Sequence, residues 1–206
     1  LAMVCLSLPP GIRYLEENIY LAGAIPGEPT LDAINPYLTP LMSDLTVSYD
    51  PGTYFSKTYE YPGGRISRSA IIPLIADTPA SKKVSGNCGH AGKYFCSRCR
   101  LQRSHIDDLD YASWPPGLTR AQHEAFAETW RTAPSKAQQQ AFASKNGIRW
   151  SALLLLPYWQ PSDWSVTEGL HVLLLGVVPR HCRDLLGLNF KDLPKTDDIE
   201  DDDEPP

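Results

Sequence analysis

The chain has 206 residues, 42% of them apolar and 21% charged, with a formal net charge of −5. This is length for about one domain, or one domain with an appendage, and the apolar content excludes a chain that is disordered throughout. The longest apolar run, SALLLLPYW, is broken by Pro157 and falls short of the ~18–20 residues that cross a bilayer, so no membrane partner is expected.

Residues 1–11, LAMVCLSLPPG, have no initiator Met and no basic segment ahead of their short apolar run, which argues against a signal peptide. The missing Met marks the chain as an expected fragment. Residues 2–8 predict a buried strand ending at Pro9-Pro10, and residues 18–27 a second strand closed by Pro26-Gly27. Residues 29–45 carry apolar side chains at 31, 34, 38, 41, 42 and 45, a helical spacing. Thr30 serves there as the expected N-cap, and Pro36 and Pro40 as kinks. A turn-rich connection leads to a fully apolar strand over 69–77, SAIIPLIAD, ending on Asp77. TPASKKVSG then reads as a helix with Thr78 as N-cap, Pro79 at the first helical position and Gly86 as stop. Strand, strand, helix, strand, helix indicates an α/β layered fold, and the order fits a ribonuclease-H-like core without its first strand.

From about residue 106 the texture becomes helical. LTRAQHEAFAETWRTA and PSKAQQQAFASKNGIRW predict a helical hairpin whose core anchors are Phe126, Trp130 and Phe142. SVTEGLHVLLLGVVPRHCRDLLGL predicts an apolar helix, and residues 197–204, with seven acids, a disordered tail. Without those seven acids the net charge of −5 becomes +2. Residues 78–105 hold Lys82, Lys83, Lys93, Arg98, Arg100 and Arg103 and no acid, a local excess suited to phosphate or, more plainly, a solvated loop.

Five cysteines is an odd number, and three of them fall within residues 88–99. Such clustering points to metal-ligand spacing in a reducing compartment, cytosol or nucleus, rather than to a disulfide scaffold. Cys96-Ser-Arg-Cys99 is a CxxC able to bind one Zn²⁺ through two thiolates, with Cys88, His90, His105 and His171 as candidates for a second pair. A redox pair, or two cysteines of no special role, are the alternatives. Asp77 is costly to bury unless it is capped, paired or bound to a cation. It is either a strand-end acid of the two-metal type or a cap for the next helix. Glu168 and His171 lie one helical turn apart, as a metal site, a charged pair, or a core histidine. GxGxxG, Walker, GxSxG and HExxH motifs are absent, so those chemistries have no support.

Five segments, in order, resemble the transposases of CACTA-type (En/Spm) DNA transposons, most of all the copies in fungal genomes. They are LSLPPGIRYLEENIYLAGAIPGEPTLDAINPYLTPLMSDL, IIPLIADTPASKKVSG, GHAGKYFCSRC, GIRWSALLLLPYWQPSDW and EGLHVLLLGVVPRHCRDLLGL, and together they span roughly residues 2–190. The resemblance implies a DDE/D enzyme with a ribonuclease-H-like core, nuclear, using Mg²⁺ or Mn²⁺ to cut transposon ends and join them to target DNA. It implies that Asp77 is the second catalytic acid and that His90, Cys96 and Cys99 belong to a metal-binding insert. Glu168 and His171 then match the family's acid-x-x-His motif, beside the active site or completing the metal site.

The implied organisation is a partial core over 1–87, a Cys/His insert over 88–105, a helical insertion over 106–190 and an acidic tail over 191–206. Several positions depart from the family pattern. The first catalytic aspartate belongs upstream of residue 1, the last acid has no counterpart, Glu168 replaces an aspartate, Val172 replaces an asparagine, and Cys88 lies outside the pattern. One carboxylate cannot hold two metal ions, so the chain is expected to be an inactive fragment or relic. The alternative is a non-catalytic zinc-containing module that binds nucleic acid or protein. A further expectation, if a core strand is missing, is an unpaired sheet edge that favours aggregation.

Overall fold

In the computed structural model, which describes residues 1–27, 29–30 and 33–188, the strands are shorter than the sequence pattern predicts. β1 (Ala2–Val4) ends early because the backbone turns at once, Leu8 donating its N–H to the Cys5 carbonyl at 3.2 Å. It pairs antiparallel with β2 (Ile19–Leu21), in the register Ala2↔Leu21, Met3↔Tyr20 and Val4↔Ile19. The buried character predicted for the first strand is met only in part, Ala2 being exposed and Met3 and Val4 half-buried, and Ile19, Tyr20 and Leu21 of the second are all exposed.

The first helix, α1 (Asn35–Tyr49), starts four residues later than expected from Thr30 as N-cap. Pro36 occupies its first turn, where the absent N–H costs nothing. Pro40 lies inside the helix, and Thr39 and Thr46 bond back to the carbonyls of Asn35 and Met42. Leu31 and Asp32 lie outside the described residues, and with them the beginning of the expected helix.

The connection after α1, read from sequence as turns only, contains an antiparallel hairpin. β3 (Thr53–Phe55) pairs with β4 (Arg65–Ser67), Tyr54 opposite Ile66 and Phe55 opposite Arg65. β5 (Leu74–Ala76) follows Pro73, which has no N–H to give a ladder and so trims the predicted strand from its start. β5 pairs with β6 (Ser165–Thr167), so the described strands form three separate two-stranded sheets in a mixed α/β arrangement.

α2 (Thr78–Ser85) has Pro79 in its first turn and Gly86 as a left-handed C-cap, as its composition predicts. At φ +77°, Gly86 also brings its backbone against Arg149, whose carbonyl oxygen lies 2.5 Å from where a Cβ would sit. α3 (Arg120–Arg131) begins with a capping box between Thr119 and Gln122, and α4 (Lys136–Asn146) with Ser135 as cap and Gly147 as stop. The rings of Phe126 and Phe142 meet across this hairpin at 6.1 Å, and Trp130 is buried.

The core lies where α1 and α2 meet residues 152–159. Ile34, Leu38 and Met42, one helical turn apart, pack with Val84, Ala152, Leu153, Leu156 and Trp159. The Asn35 amide fastens this seam at both ends, donating to the Trp150 carbonyl at 3.1 Å and accepting from Ala152 N–H at 2.9 Å.

The chain divides into two units after Val166. Within the first unit a set of ties joins the end of α2 to the segment that follows α4. Asn87 bridges Ile148, Cys88 N–H donates to Gly147 at 2.9 Å, and Arg149 N–H donates to Gly86 at 2.7 Å. The second unit begins at Thr167. Its helical segment runs with wide π-type turns over Leu170–Val177 and His181–Leu185, on either side of Pro179, which supplies no helical N–H. Its leucines 170, 173, 174 and 175 are exposed. Residues 189–206, including the expected acidic tail, lie outside the described residues.

Candidate functional site

Asp77 stands where β5 passes into α2. It is the N-cap of α2 in place of the expected Thr78, its Oδ1 accepting the Ala80 N–H at 2.7 Å. A cap of this kind is worth about 1 kcal/mol. The carboxylate is half-buried, and one of its oxygens is committed to the helix it starts.

After α2, over residues 93–103, the chain folds into a knuckle. Arg103 N–H donates to the Lys93 carbonyl at 2.8 Å and Tyr94 bridges Gln102, so that Cys96 and Cys99 sit together at the tip. Arg98 N–H points at the Cys96 sulfur at 3.4 Å, Leu101 N–H at the Cys99 sulfur, and the two side chains hydrogen-bond to each other. The Leu101 N–H aimed at the Cys99 sulfur favours its thiolate, the form that binds metal. Burial nonetheless pushes the Cys99 thiol up, and the Leu101 N–H opposes that shift only in part.

Lys82 is the least expected member of this site. Its ammonium is buried, donates to the Phe95 carbonyl, and lies close enough to Cys96 and Cys88 for both to act on it. Burial lowers its pKa, and the two sulfurs, when ionised, oppose that fall. Cys88 is turned away from the knuckle: its thiol donates to the Ala143 carbonyl of α4 at 3.1 Å, and burial raises its pKa. His90 is exposed, its carbonyl receiving Arg103, and His105 lies in a short turn beside Ser104.

Zinc needs four ligands, and the knuckle supplies two sulfurs in a suitable setting. Among the described residues no three His, Cys, Asp or Glu side chains converge as a metal-binding group. The residues present therefore fit half of a zinc site, and no step is derived through the metal. Likewise, among the described residues Asp77 is not joined by further acids into a site for two divalent ions.

Glu168 and His171 belong to the second unit and are close partners. His171 Nδ1 lies 2.5 Å from Glu168 Oε2, and the same carboxylate accepts the N–H groups of Leu170 and His171. The bond to His171, followed by the Leu170 N–H, holds the Glu168 carboxyl below its usual range. The His171 side chain is half-exposed and hydrogen-bonded to Glu168.

The basic stretch divides into inward and outward members. Lys82 is buried, Lys83 is half-buried, and Arg100 is tied down, its guanidinium 3.4 Å over the Tyr94 ring and donating to the Asn146 carbonyl at 2.8 Å. Lys93, Arg98 and Arg103 are exposed on the knuckle. Sequence reasoning missed the buried His123 of α3 and Arg149, which holds the Asn87 carbonyl at 2.7 Å. No local pattern marks either, since both owe their burial to distant segments.

With this geometry in view, neither a known family model nor a curated protein nor a solved structure matches the chain.

Proposed function

We propose that this chain is a portion of a CACTA-type DDE/D transposase that retains DNA-binding elements and does not itself cut DNA. The supporting observation is the succession of Asp77 at the end of β5, the helix it caps, and a CxxC knuckle displaying Lys93, Arg98 and Arg103. In the family the strand-end acids hold two divalent ions over the scissile phosphate; a lone Asp77 lacks the charge and ligand count for that. In this reading the knuckle cations neutralise backbone phosphates, which gives affinity without sequence choice.

With labelled duplex transposon ends and Mg²⁺ or Mn²⁺, the expected outcome is salt-sensitive binding without cleavage. Lys93→Ala and Arg98→Ala should each weaken binding on any sequence and reduce the salt slope by about 1. Robust cleavage, or binding indifferent to both salt and these substitutions, overturns the proposal.

The knuckle geometry also supports a second reading, a zinc-containing binding module in which the N–H-supported sulfurs of Cys96 and Cys99 are two of the ligands. Purified protein is then expected to carry about one equivalent of zinc and to lose it, with part of its stability, on chelation. Cys96→Ser should abolish the zinc content, and parallel analysis of Cys88→Ser and His90→Ala identifies the remaining ligands. Unchanged zinc in the Cys96 variant removes the site.

A further inference from the structure

The β3–β4 hairpin carries a surface that neither the knuckle nor Asp77 explains. Its loop is internally braced: Thr58 N–H donates to the Tyr61 carbonyl at 3.0 Å, and Gly64 N–H to the same carbonyl at 3.1 Å. Gly64 is required there, at φ +90°, because a Cβ would come within 2.8 Å of the Phe55 carbonyl oxygen. This bracing leaves aromatic rings outside. Tyr59 is fully exposed, and Phe55 and Tyr61 are exposed along the same groove of about 620 Å³, which Arg65, Arg68 and Glu60 also line. A large ring left in water, as that of Tyr59 is, costs free energy that a ligand would recover.

The charges around the rings narrow the ligand class. Residues 53–69 hold Lys57, Arg65 and Arg68 against Glu60 alone, an excess of positive charge. The Arg65 guanidinium lies 4.4 Å over the Tyr61 ring, a flat cation stacked on a flat face with its edge still available to an anion. Arg68 pairs with Asp50 at 3.3 Å, but both side chains are largely exposed, and such a pair is worth little and readily exchanged.

We infer that this groove binds single-stranded nucleic acid, unpaired bases stacking on Tyr59 and Tyr61 while Arg65 and Arg68 meet the phosphates. A single strand offers a planar apolar face and an anion in every repeating unit, which is the combination displayed here. A duplex keeps its base faces stacked on one another and cannot use the rings. A proline-rich peptide would use the rings but leave the arginines without anions, and an acidic peptide the reverse. The inference rests on the hairpin and stands whether or not the chain derives from a transposase.

The test is fluorescence anisotropy with a short labelled oligothymidylate and with a duplex of equal length. Tyr59, being fully exposed, can be replaced without loss of packing. Tyr59→Ala is expected to weaken oligothymidylate binding by about five- to a hundred-fold, whereas Tyr59→Phe, which keeps the ring, retains it. Arg65→Ala should weaken binding and flatten its salt dependence. Neither Tyr59→Ala nor Arg65→Ala should alter duplex binding, and Lys93→Ala with Arg98→Ala should leave oligothymidylate binding in place. The inference is overturned if the wild-type protein does not bind oligothymidylate, if Tyr59→Ala binds it as tightly as wild type, or if a proline-rich peptide takes the groove instead. Failure of duplex binding or the appearance of cleavage bears only on the transposase proposal.

Discussion

Truncating Trp159 to alanine is expected to cost about 3–5 kcal/mol, a large share of the ~5–15 kcal/mol that holds a domain of this kind together. Trp159 is 1% exposed and lies in the core formed by α1, α2 and residues 152–156. Its carbonyl also receives the Arg120 guanidinium, which ties this segment to the first turn of α3. Loss of the indole opens a cavity beneath Leu38 and Leu156, both fully buried, and Tyr158 beside it cannot fill the space because its hydroxyl is engaged by Ile71 N–H at 3.1 Å. A urea titration measures the effect. A shift of the midpoint equivalent to less than about 1 kcal/mol would mean that the core does not centre on this residue.

Lowering the pH from 7 to 5 is expected to cost about 2 kcal/mol through His123 alone. This histidine is 1% exposed and its Nε2 has no hydrogen-bond partner among the described residues. Burial, with Arg100 and then Arg120 as like charges nearby, lowers its pKa to about 4. The unfolded chain takes up the proton near pH 6.5, well before the folded chain does. Stability is therefore complete above about pH 6.5, falls as pH drops through the interval, and levels below about pH 4. Glu124, 2.5 Å from Arg120, offsets part of the positive field around α3. Thermal melts at the two pH values, compared between wild type and His123→Gln, isolate the contribution; an equal pH slope in both proteins would refute it. Because Arg100 stacks on Tyr94 under the knuckle, protonation of His123 is expected to loosen that loop first.

Several features of the fold were legible from neighbouring residues. Pro79 and Gly86 bound α2 as read, because caps and stops act within one helical turn. The pairing of Phe126 with Phe142 followed from two amphipathic helices joined by a short loop. The β3–β4 hairpin was missed since its strands are three residues each and its loop is long, which leaves little alternation to detect. The strand expected over 69–77 shrank to Leu74–Ala76, as an apolar run does not reveal whether a partner strand stands beside it.

The candidate site divides in the same way. Its CxxC turn, the acid ending β5 and the Glu168–His171 pair are local, each set by residues no more than four apart, and the sequence by itself determined them. Only the tertiary structure decided which charges face inward. Lys82 and Arg100 read as surface cations, yet one is buried against the Phe95 carbonyl and the other is held by Tyr94 and Asn146. Cys88 read as a ligand candidate beside His90, yet its thiol is drawn to Ala143, 55 positions along the chain. The physical reason is one of range. Caps, turns and i,i+3 pairs are settled by the few residues that form them, whereas desolvation depends on whatever distant segment closes over a group, and no short stretch of sequence records that.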